Sequence, residues 1–234
     1  LKKPDVAVIE AVAITEDGGI VPTTSVGNSA SFAIFAEKVI VEINTNLSPA
    51  FEGLHDIYIP TYRPTRQPIP LTKVDERIGT QAINIDPAKI VGIVFNSELH
   101  DSPSTVTAPD DETQSIANHL IAFFEKEVAE DRLPKNLGPL QAGIGSIANA
   151  VLTGLKESNF EDLIMYSEVL QDCTFELIDA GKMKFASGSS ITLSAKYGEK
   201  VFNNLEQYKD KLVLRPQEIS NHPELVRRLG IIGI

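Results

Sequence analysis

Short apolar runs alternate with segments of helical periodicity along most of the 234-residue chain. The predicted strands lie at residues 6–14, 39–43, 90–95, 163–167, 183–186 and 212–214. The predicted helices between or after them include residues 29–38, 145–155, 170–180 and 223–229. This alternation is typical of parallel strands that are joined by crossover helices. We therefore expect an α/β fold with mainly parallel sheets.

Residues 101–111 divide this pattern into two parts. The stretch is rich in Ser, Pro, Thr and Asp, and Asp110 or Asp111 at its end can cap a helix predicted at residues 112–131. We expect a domain boundary near residue 105, between two α/β/α domains at residues 1–105 and 106–234. Because the chain begins without Met almost directly on a strand and stops on an apolar run, we expect both domains to be truncated.

The connection from residue 44 to residue 89 carries six prolines. A connection of this length without regular structure is unusual inside a compact domain. We expect it to pack against a part of the protein outside this chain or against a second subunit.

Composition excludes some classes of partner. The net charge of −11 and the 6% aromatic content disfavour nucleic acid and anionic membranes as partners. The single cysteine, Cys173, cannot form an internal disulfide, and no Cys/His cluster has the spacing of a zinc site. No apolar run approaches the roughly 20 residues that span a bilayer. These features predict a cytoplasmic protein without a metal centre.

A glycine pair at residues 143 and 145 lies between a predicted short strand near Pro139 and an apolar helix. Glycine permits a tight turn there, and the free amides at the start of the helix can bind an anion or an oxyanion. The pair lacks the third glycine of a dinucleotide fingerprint and the Lys-Ser/Thr of a P-loop. A simple turn therefore remains an alternative.

Glu168 follows the strand predicted at residues 163–167. Ligands of parallel sheets bind outside the carboxyl ends of the strands, so this carboxylate is in a suitable position for catalysis. Its alternative role is structural, as a helix cap or as the partner of a basic residue. No G-x-S-x-G motif offers a serine nucleophile instead.

Several motifs occur together in one order: PIPLT at 68–72, RIG at 77–79, GIGSIANAV at 143–151, YSEVLQD at 166–172, QEISNHPE at 217–224 and RRLG at 227–230. In this combination the chain closely resembles the acetyl-CoA hydrolase/transferase family, which includes class I CoA-transferases of the succinyl-CoA:acetate type. The resemblance runs over essentially the whole chain, although the chain has roughly half the family's length. It departs from the family at Ser102, where a basic residue is expected, and at Cys173, where glycine is expected.

The resemblance implies roles for individual residues. Glu168 matches the nucleophile that attacks an acyl-CoA thioester, forms an acyl-glutamyl anhydride and is then converted to a glutamyl-CoA thioester. The N–H of Ile144 matches an oxyanion donor, and Asn221 matches a side chain that positions the thioester carbonyl. The CoA-contacting segment would comprise Gly143, Ile144, Gly145, Ser146 and Ile147.

The same resemblance implies an acyl-CoA and a small carboxylate as substrates, with no cofactor besides CoA itself as a substrate, and a homodimer. An acetyl-CoA hydrolase, in which water takes the acyl group, is an alternative. A non-catalytic acyl-CoA-binding or protein-binding module is another. Cys173 is expected to be a packed thiol, and His55, His100, His119 and His222 are expected to have surface or structural roles.

Overall fold

A computed structural model describes residues 2–62, 64–98 and 110–234. Its first sheet has the order β2-β1-β3-β4, in which β1, β3 and β4 are parallel and β2 runs antiparallel to β1. The elements of this half are β1 (Val6–Ile14), β2 (Ile20–Pro22), α1 (Ser29–Phe35), β3 (Lys38–Asn44) and β4 (Ile90–Asn96).

The second sheet has the order β10-β8-β6-β5-β11, and all of its pairings are parallel. A two-stranded parallel sheet of β7 and β9 lies beside it. The strands of this half are β5 (Pro139–Gln141), β6 (Leu163–Tyr166), β7 (Val169–Leu170), β8 (Met183–Gly188), β9 (Ser190–Ile191), β10 (Leu212–Leu214) and β11 (Ile232–Gly233). The predicted α/β fold with mainly parallel sheets is confirmed.

Six helices connect these strands or precede them: α2 (Asp111–Ala129), α3 (Ser146–Glu157), α4 (Asp172–Asp179), α5 (Ala195–Phe202), α6 (Gln217–Ser220) and α7 (Pro223–Leu229). Asp110 caps α2, since its carboxylate accepts a hydrogen bond from the N–H of Thr113 at 2.8 Å. No described helix is long and apolar enough to cross a membrane. The cytoplasmic location stays a prediction.

Strand β1 shows why the first sheet forms. Ala7, Ile9 and Ala11 alternate inward into the core, while Val6 and Val8 point outward and are exposed. At the edge of the sheet, β4 exposes apolar side chains on both of its faces, and Phe95 is 74% exposed. Apolar side chains on both faces are typical of strands in parallel sheets whose two faces are both covered by other parts of the protein.

The long connection between β3 and β4 packs within this chain. Backbone hydrogen bonds of 2.9 Å join Asp56 N–H to Leu214 O and Leu214 N–H to Leu54 O. A buried ion pair joins Asp56 to Arg215, which follows β10. The same connection contributes Ile69, Leu71 and Val74 to a small core with Tyr166, Ile219 and Leu225. The expectation that this segment needs a partner outside the chain is therefore wrong for these residues, because the second half of the chain covers them.

A close approach fixes the path of this connection. The carboxylate of Asp56 accepts hydrogen bonds from the N–H groups of Ile78 at 3.0 Å and Gly79 at 2.6 Å. A Cβ atom on Gly79 would lie 2.2 Å from the carbonyl oxygen of Ile57. The sequence RIG at 77–79 therefore requires glycine at its last position.

The boundary predicted near residue 105 lies outside the described residues, as do Ser102 and His100. One hydrophobic core cluster contains residues of both halves, from Ala7 to Leu214. The division into domains at 1–105 and 106–234 stays a prediction.

Candidate active site

The candidate site lies at the carboxyl edge of the second sheet. Strands β5, β6, β8 and β10 are parallel neighbours, so the residues that follow them meet at one edge. Hydrogen bonds connect these ends: Ser167 Oγ donates to Ala142 O at 3.0 Å, and the N–H of Arg215 donates to Gly188 O at 2.8 Å. The edge brings together the glycine segment, Glu168 and the start of α6.

Glu168 stands between β6 and β7 with its side chain exposed. Its carbonyl oxygen accepts hydrogen bonds from the N–H groups of Ser189 at 2.7 Å and Ser190 at 3.1 Å, which fixes its backbone. Its carboxylate oxygen Oε1 accepts a hydrogen bond from Gln217 Nε2 at 2.9 Å. The hydrogen bond to Oε1 thus orients the carboxylate, while the side chain remains open to solvent.

The structural alternative for Glu168 finds no support in the described part of the chain. Helix α4 begins at Asp172, its N-cap is Gln171, and no side chain caps it. Glu168 forms no salt bridge with a described residue. Its carboxylate is therefore available for another use.

The glycine segment opens helix α3. Gly145 is the N-cap, with φ 152° and ψ 170°, a conformation that is essentially restricted to glycine. The N–H groups of Ile144 and Gly145 have no acceptor among the described residues. Ser146 and Ile147 occupy the first turn of α3, whose N–H groups lack an intrahelical partner. Ile144 is 77% exposed, so this group of donors faces solvent.

Gly143 differs from its neighbours. Its N–H donates to Ile234 O at 3.2 Å, and its carbonyl oxygen accepts a hydrogen bond from Gln171 Nε2 at 3.3 Å. The first free donor of the segment is therefore the N–H of Ile144, the position at which the family resemblance implies an oxyanion donor.

Asn221 lies at the C-cap of α6 and is exposed. Its N–H donates to Gln217 O at 3.0 Å, so it stands one helical turn, about 5 Å, from the residue that contacts Glu168. Both line a cavity of about 260 Å³ together with Arg66 and His222. Gln217 therefore links Asn221 to Glu168, which is not among the residues that line this cavity.

Two contributions to the site are not predicted from the sequence. Gln217 lies in the motif at residues 217–224, for which the resemblance implies a role at Asn221 alone. The connection at residues 24–27 also reaches the site: Ile191 N–H donates to Thr24 O at 2.8 Å, Val26 N–H to Ser189 O at 2.9 Å and Gln217 N–H to Gly27 O at 2.9 Å. Its Thr, Ser and Gly residues are typical of a turn, but a local pattern does not show which strand ends a turn contacts.

Cys173 and two of the histidines have structural surroundings. Burial raises the pKa of the Cys173 thiol to about 12, which agrees with a packed thiol. His55 is fully buried with Nε2 2.9 Å from Thr23 O, and burial lowers its pKa to about 4. His119 Nδ1 lies 2.7 Å from Ser115 O.

His222 lies at the candidate site. Its Nε2 is 2.6 Å from Arg66 Nη2. Burial lowers the pKa of His222, and the positive charge of Arg66 adds to this effect. Among the described residues, no group of His, Cys, Asp and Glu side chains could hold a metal ion.

Comparison with solved structures defines the class of fold. RipA from Yersinia pestis is 19% identical, with a TM-score of 0.65, over 98% of this chain and 45% of that chain. A 4-hydroxybutyrate CoA-transferase from Porphyromonas gingivalis is 20% identical, with a TM-score of 0.63, over 98% of this chain and 49% of that chain. The fold is that of the CoA-transferases.

Sequence comparison then defines the family. Residues 2–95 match the acetyl-CoA hydrolase/transferase N-terminal domain. The acetyl-CoA hydrolase of Schizosaccharomyces pombe is 50% identical over 230 residues, which are 98% of this chain and 44% of that protein. The succinyl-CoA:acetate CoA-transferase of Clostridium kluyveri is 47% identical over 235 residues, covering 100% of this chain and 43% of that protein. The chain belongs to the acetyl-CoA hydrolase/transferase family, and it spans less than half the length of these relatives.

Proposed function

We propose that this chain carries the nucleophile of an acyl-CoA:carboxylate CoA-transferase that acts through a glutamyl-CoA thioester on Glu168. The observation that carries the proposal is the exposed, oriented carboxylate of Glu168 on the same sheet edge as the free N–H groups at Ile144 and Gly145. A carboxylate nucleophile and a backbone oxyanion donor are the two groups that acyl transfer through an anhydride requires.

The reaction begins when the free oxygen of Glu168, Oε2, attacks the thioester carbonyl of an acyl-CoA. Negative charge develops on the acyl oxygen, where the Ile144 N–H stabilises it, and CoA thiolate leaves to give an acyl-glutamyl anhydride. The thiolate then attacks the glutamyl carbon, the original carboxylate leaves, and a glutamyl-CoA thioester remains. An incoming carboxylate reverses these steps and departs as the new acyl-CoA.

The other residues bind and orient. Gly143, Gly145, Ser146 and Ile147 line the start of α3 and contact CoA, and Asn221 positions the thioester carbonyl. Acyl-CoA and a small carboxylate are the substrates, and CoA is a substrate rather than a resident cofactor. The homodimer stays a prediction.

Mass spectrometry of the peptide that contains Glu168 tests the proposal directly. After incubation of the intact protein that carries this chain with acetyl-CoA, we expect a CoA adduct on Glu168 that is absent in Glu168→Gln. The exposed Glu199, which lies on α5, supplies the matched control, so Glu199→Gln should keep the adduct. Acetyl-CoA binding without an adduct would instead assign the chain a non-catalytic binding role.

A hydrolase is the second candidate, because Glu168 is open to solvent and relatives of this chain are named acetyl-CoA hydrolase. In that case water would resolve the anhydride or the thioester. Release of CoA from acetyl-CoA is compared with and without added succinate, which would be converted to succinyl-CoA. Succinyl-CoA formed faster than free CoA accumulates would support the transferase, and CoA release that succinate leaves unchanged would support the hydrolase.

A further inference from the structure

The side chain of Gln217 is the described group that donates a hydrogen bond to the carboxylate of Glu168. We infer that Gln217 is a catalytic residue, whose Nε2 stabilises the oxyanion that forms on Glu168 itself when CoA thiolate attacks the glutamyl carbon. The inference rests on the proposed function and assigns a second oxyanion donor to the same site.

The two oxygens of Glu168 have different fates in this chemistry. Oε2 attacks the acyl-CoA, becomes the bridging oxygen of the anhydride and leaves with the released carboxylate. Oε1 stays on the glutamyl carbon throughout and becomes the carbonyl oxygen. When thiolate adds to that carbon, the C–S bond forms and the electron pair of the C=O bond moves onto Oε1. Collapse of this intermediate restores C=O and breaks the bond to the bridging oxygen.

The hydrogen bond from Gln217 is made to Oε1 at 2.9 Å, so its donor already points at the atom where this charge develops. The N–H of Ile144 serves the other tetrahedral intermediate, in which the charge is on the oxygen of the acyl group. Two separate donors are needed because the two oxyanions form on different carbons.

Gln217 is held in place before the reaction begins. Its N–H donates to Gly27 O at 2.9 Å, and its carbonyl oxygen accepts the N–H of Asn221 at 3.0 Å. Two residues earlier, the guanidinium of Arg215 is fully buried, paired with Asp56 and hydrogen-bonded through Nε to Ser187 Oγ at 3.0 Å. These contacts fix the backbone of Gln217, and the hydrogen bond to Glu168 orients its side chain, so the donor needs little reorganisation as charge develops.

The test measures the rate of CoA adduct formation on Glu168 in Gln217→Met, a variant that keeps the length of the side chain and removes the donor. We expect this rate to fall about 10²-fold to 10³-fold, the usual loss for one oxyanion donor. Affinity for acetyl-CoA, measured by calorimetry, should stay unchanged, and CoA should still be released as free thiol when the anhydride forms. The exposed Gln207 gives the control, Gln207→Met, which should form the adduct at the original rate.

Three outcomes would overturn the inference, and the third would also overturn the proposed function. Adduct formation at the original rate in Gln217→Met would overturn the inference and leave the proposed function standing. Loss of acetyl-CoA affinity together with the rate would also overturn it, because Gln217 would then have only a structural role. An unaltered intact protein that forms no adduct would overturn the proposed function and this inference with it.

Discussion

Replacing Asp56 by alanine removes one partner of an ion pair whose side chains are 1% and 0% exposed for Asp56 and Arg215. The guanidinium would stay in the interior without its counter-charge, since Arg215 is also held by Ser187 Oγ at 3.0 Å and Val74 O at 3.1 Å. Breaking a buried pair in this way typically costs about 3–5 kcal/mol. The N–H groups of Ile78 and Gly79 would also lose their acceptor.

Because whole domains are stable by only about 5–15 kcal/mol, a loss of this size removes a large part of the folding free energy. Urea denaturation followed by circular dichroism measures it as a lower midpoint for Asp56→Ala. The double variant Asp56→Asn with Arg215→Met contains no unpaired buried charge, so it should be more stable than Asp56→Ala.

The control is Lys184→Met, which breaks a pair with Asp162 whose side chains are 63% and 59% exposed. Exposed pairs contribute about 0–1 kcal/mol, so its midpoint should barely move. A similarly small change in Asp56→Ala would refute the reasoning, because it would show that water reaches the pair.

Three further predictions concern packing and titration. Gly79→Ala places a Cβ 2.2 Å from Ile57 O, so it should lower the free energy of unfolding by about 1–3 kcal/mol, measured by thermal melts. The control is Gly92→Ala, whose Cβ would have its nearest atom 4.0 Å away and should leave the free energy of unfolding unchanged. Burial lowers the pKa of His55 to about 4 in the folded state. The free energy of unfolding should therefore fall by about 3 kcal/mol in all as the pH drops from about 6.5 towards 4. The variant His55→Asn should lose much of this pH dependence. Cys173, with its pKa raised to about 12, should resist alkylation at pH 8 until the chain is unfolded by urea, and rapid labelling of the folded chain would contradict its burial.

The sequence predicted the elements whose side chains repeat with a clear period. The expected strand at residues 90–95 is found as Ile90–Asn96 and the expected helix at 145–155 as Ser146–Glu157. Shorter elements were missed: β2 has three residues, and β7 and β9 have two each, too few for any periodicity to appear.

The connection between residues 44 and 89 shows why packing was harder to predict. Its prolines indicated irregular backbone correctly, but its partners lie more than a hundred residues further along the chain, as with Asp56 and Arg215. A pairing between two charged residues so far apart leaves no local pattern. The site has the same property, since Gln217 and Glu168 come from different loops and meet only because their strands share one sheet.

The candidate site depends on both halves of the chain. Gly27, from the first half, accepts the N–H of Gln217, and Asp56, also from the first half, neutralises Arg215 just before it. Loosening either contact would free the start of α6 and with it the donor to Oε1 of Glu168. A change such as Asp56→Ala should therefore affect adduct formation on Glu168 as well as stability, although Asp56 contacts none of the reacting atoms. If the adduct formed at the original rate in a folded Asp56→Ala chain, Gln217 would have to be held by Gly27 and α6 alone.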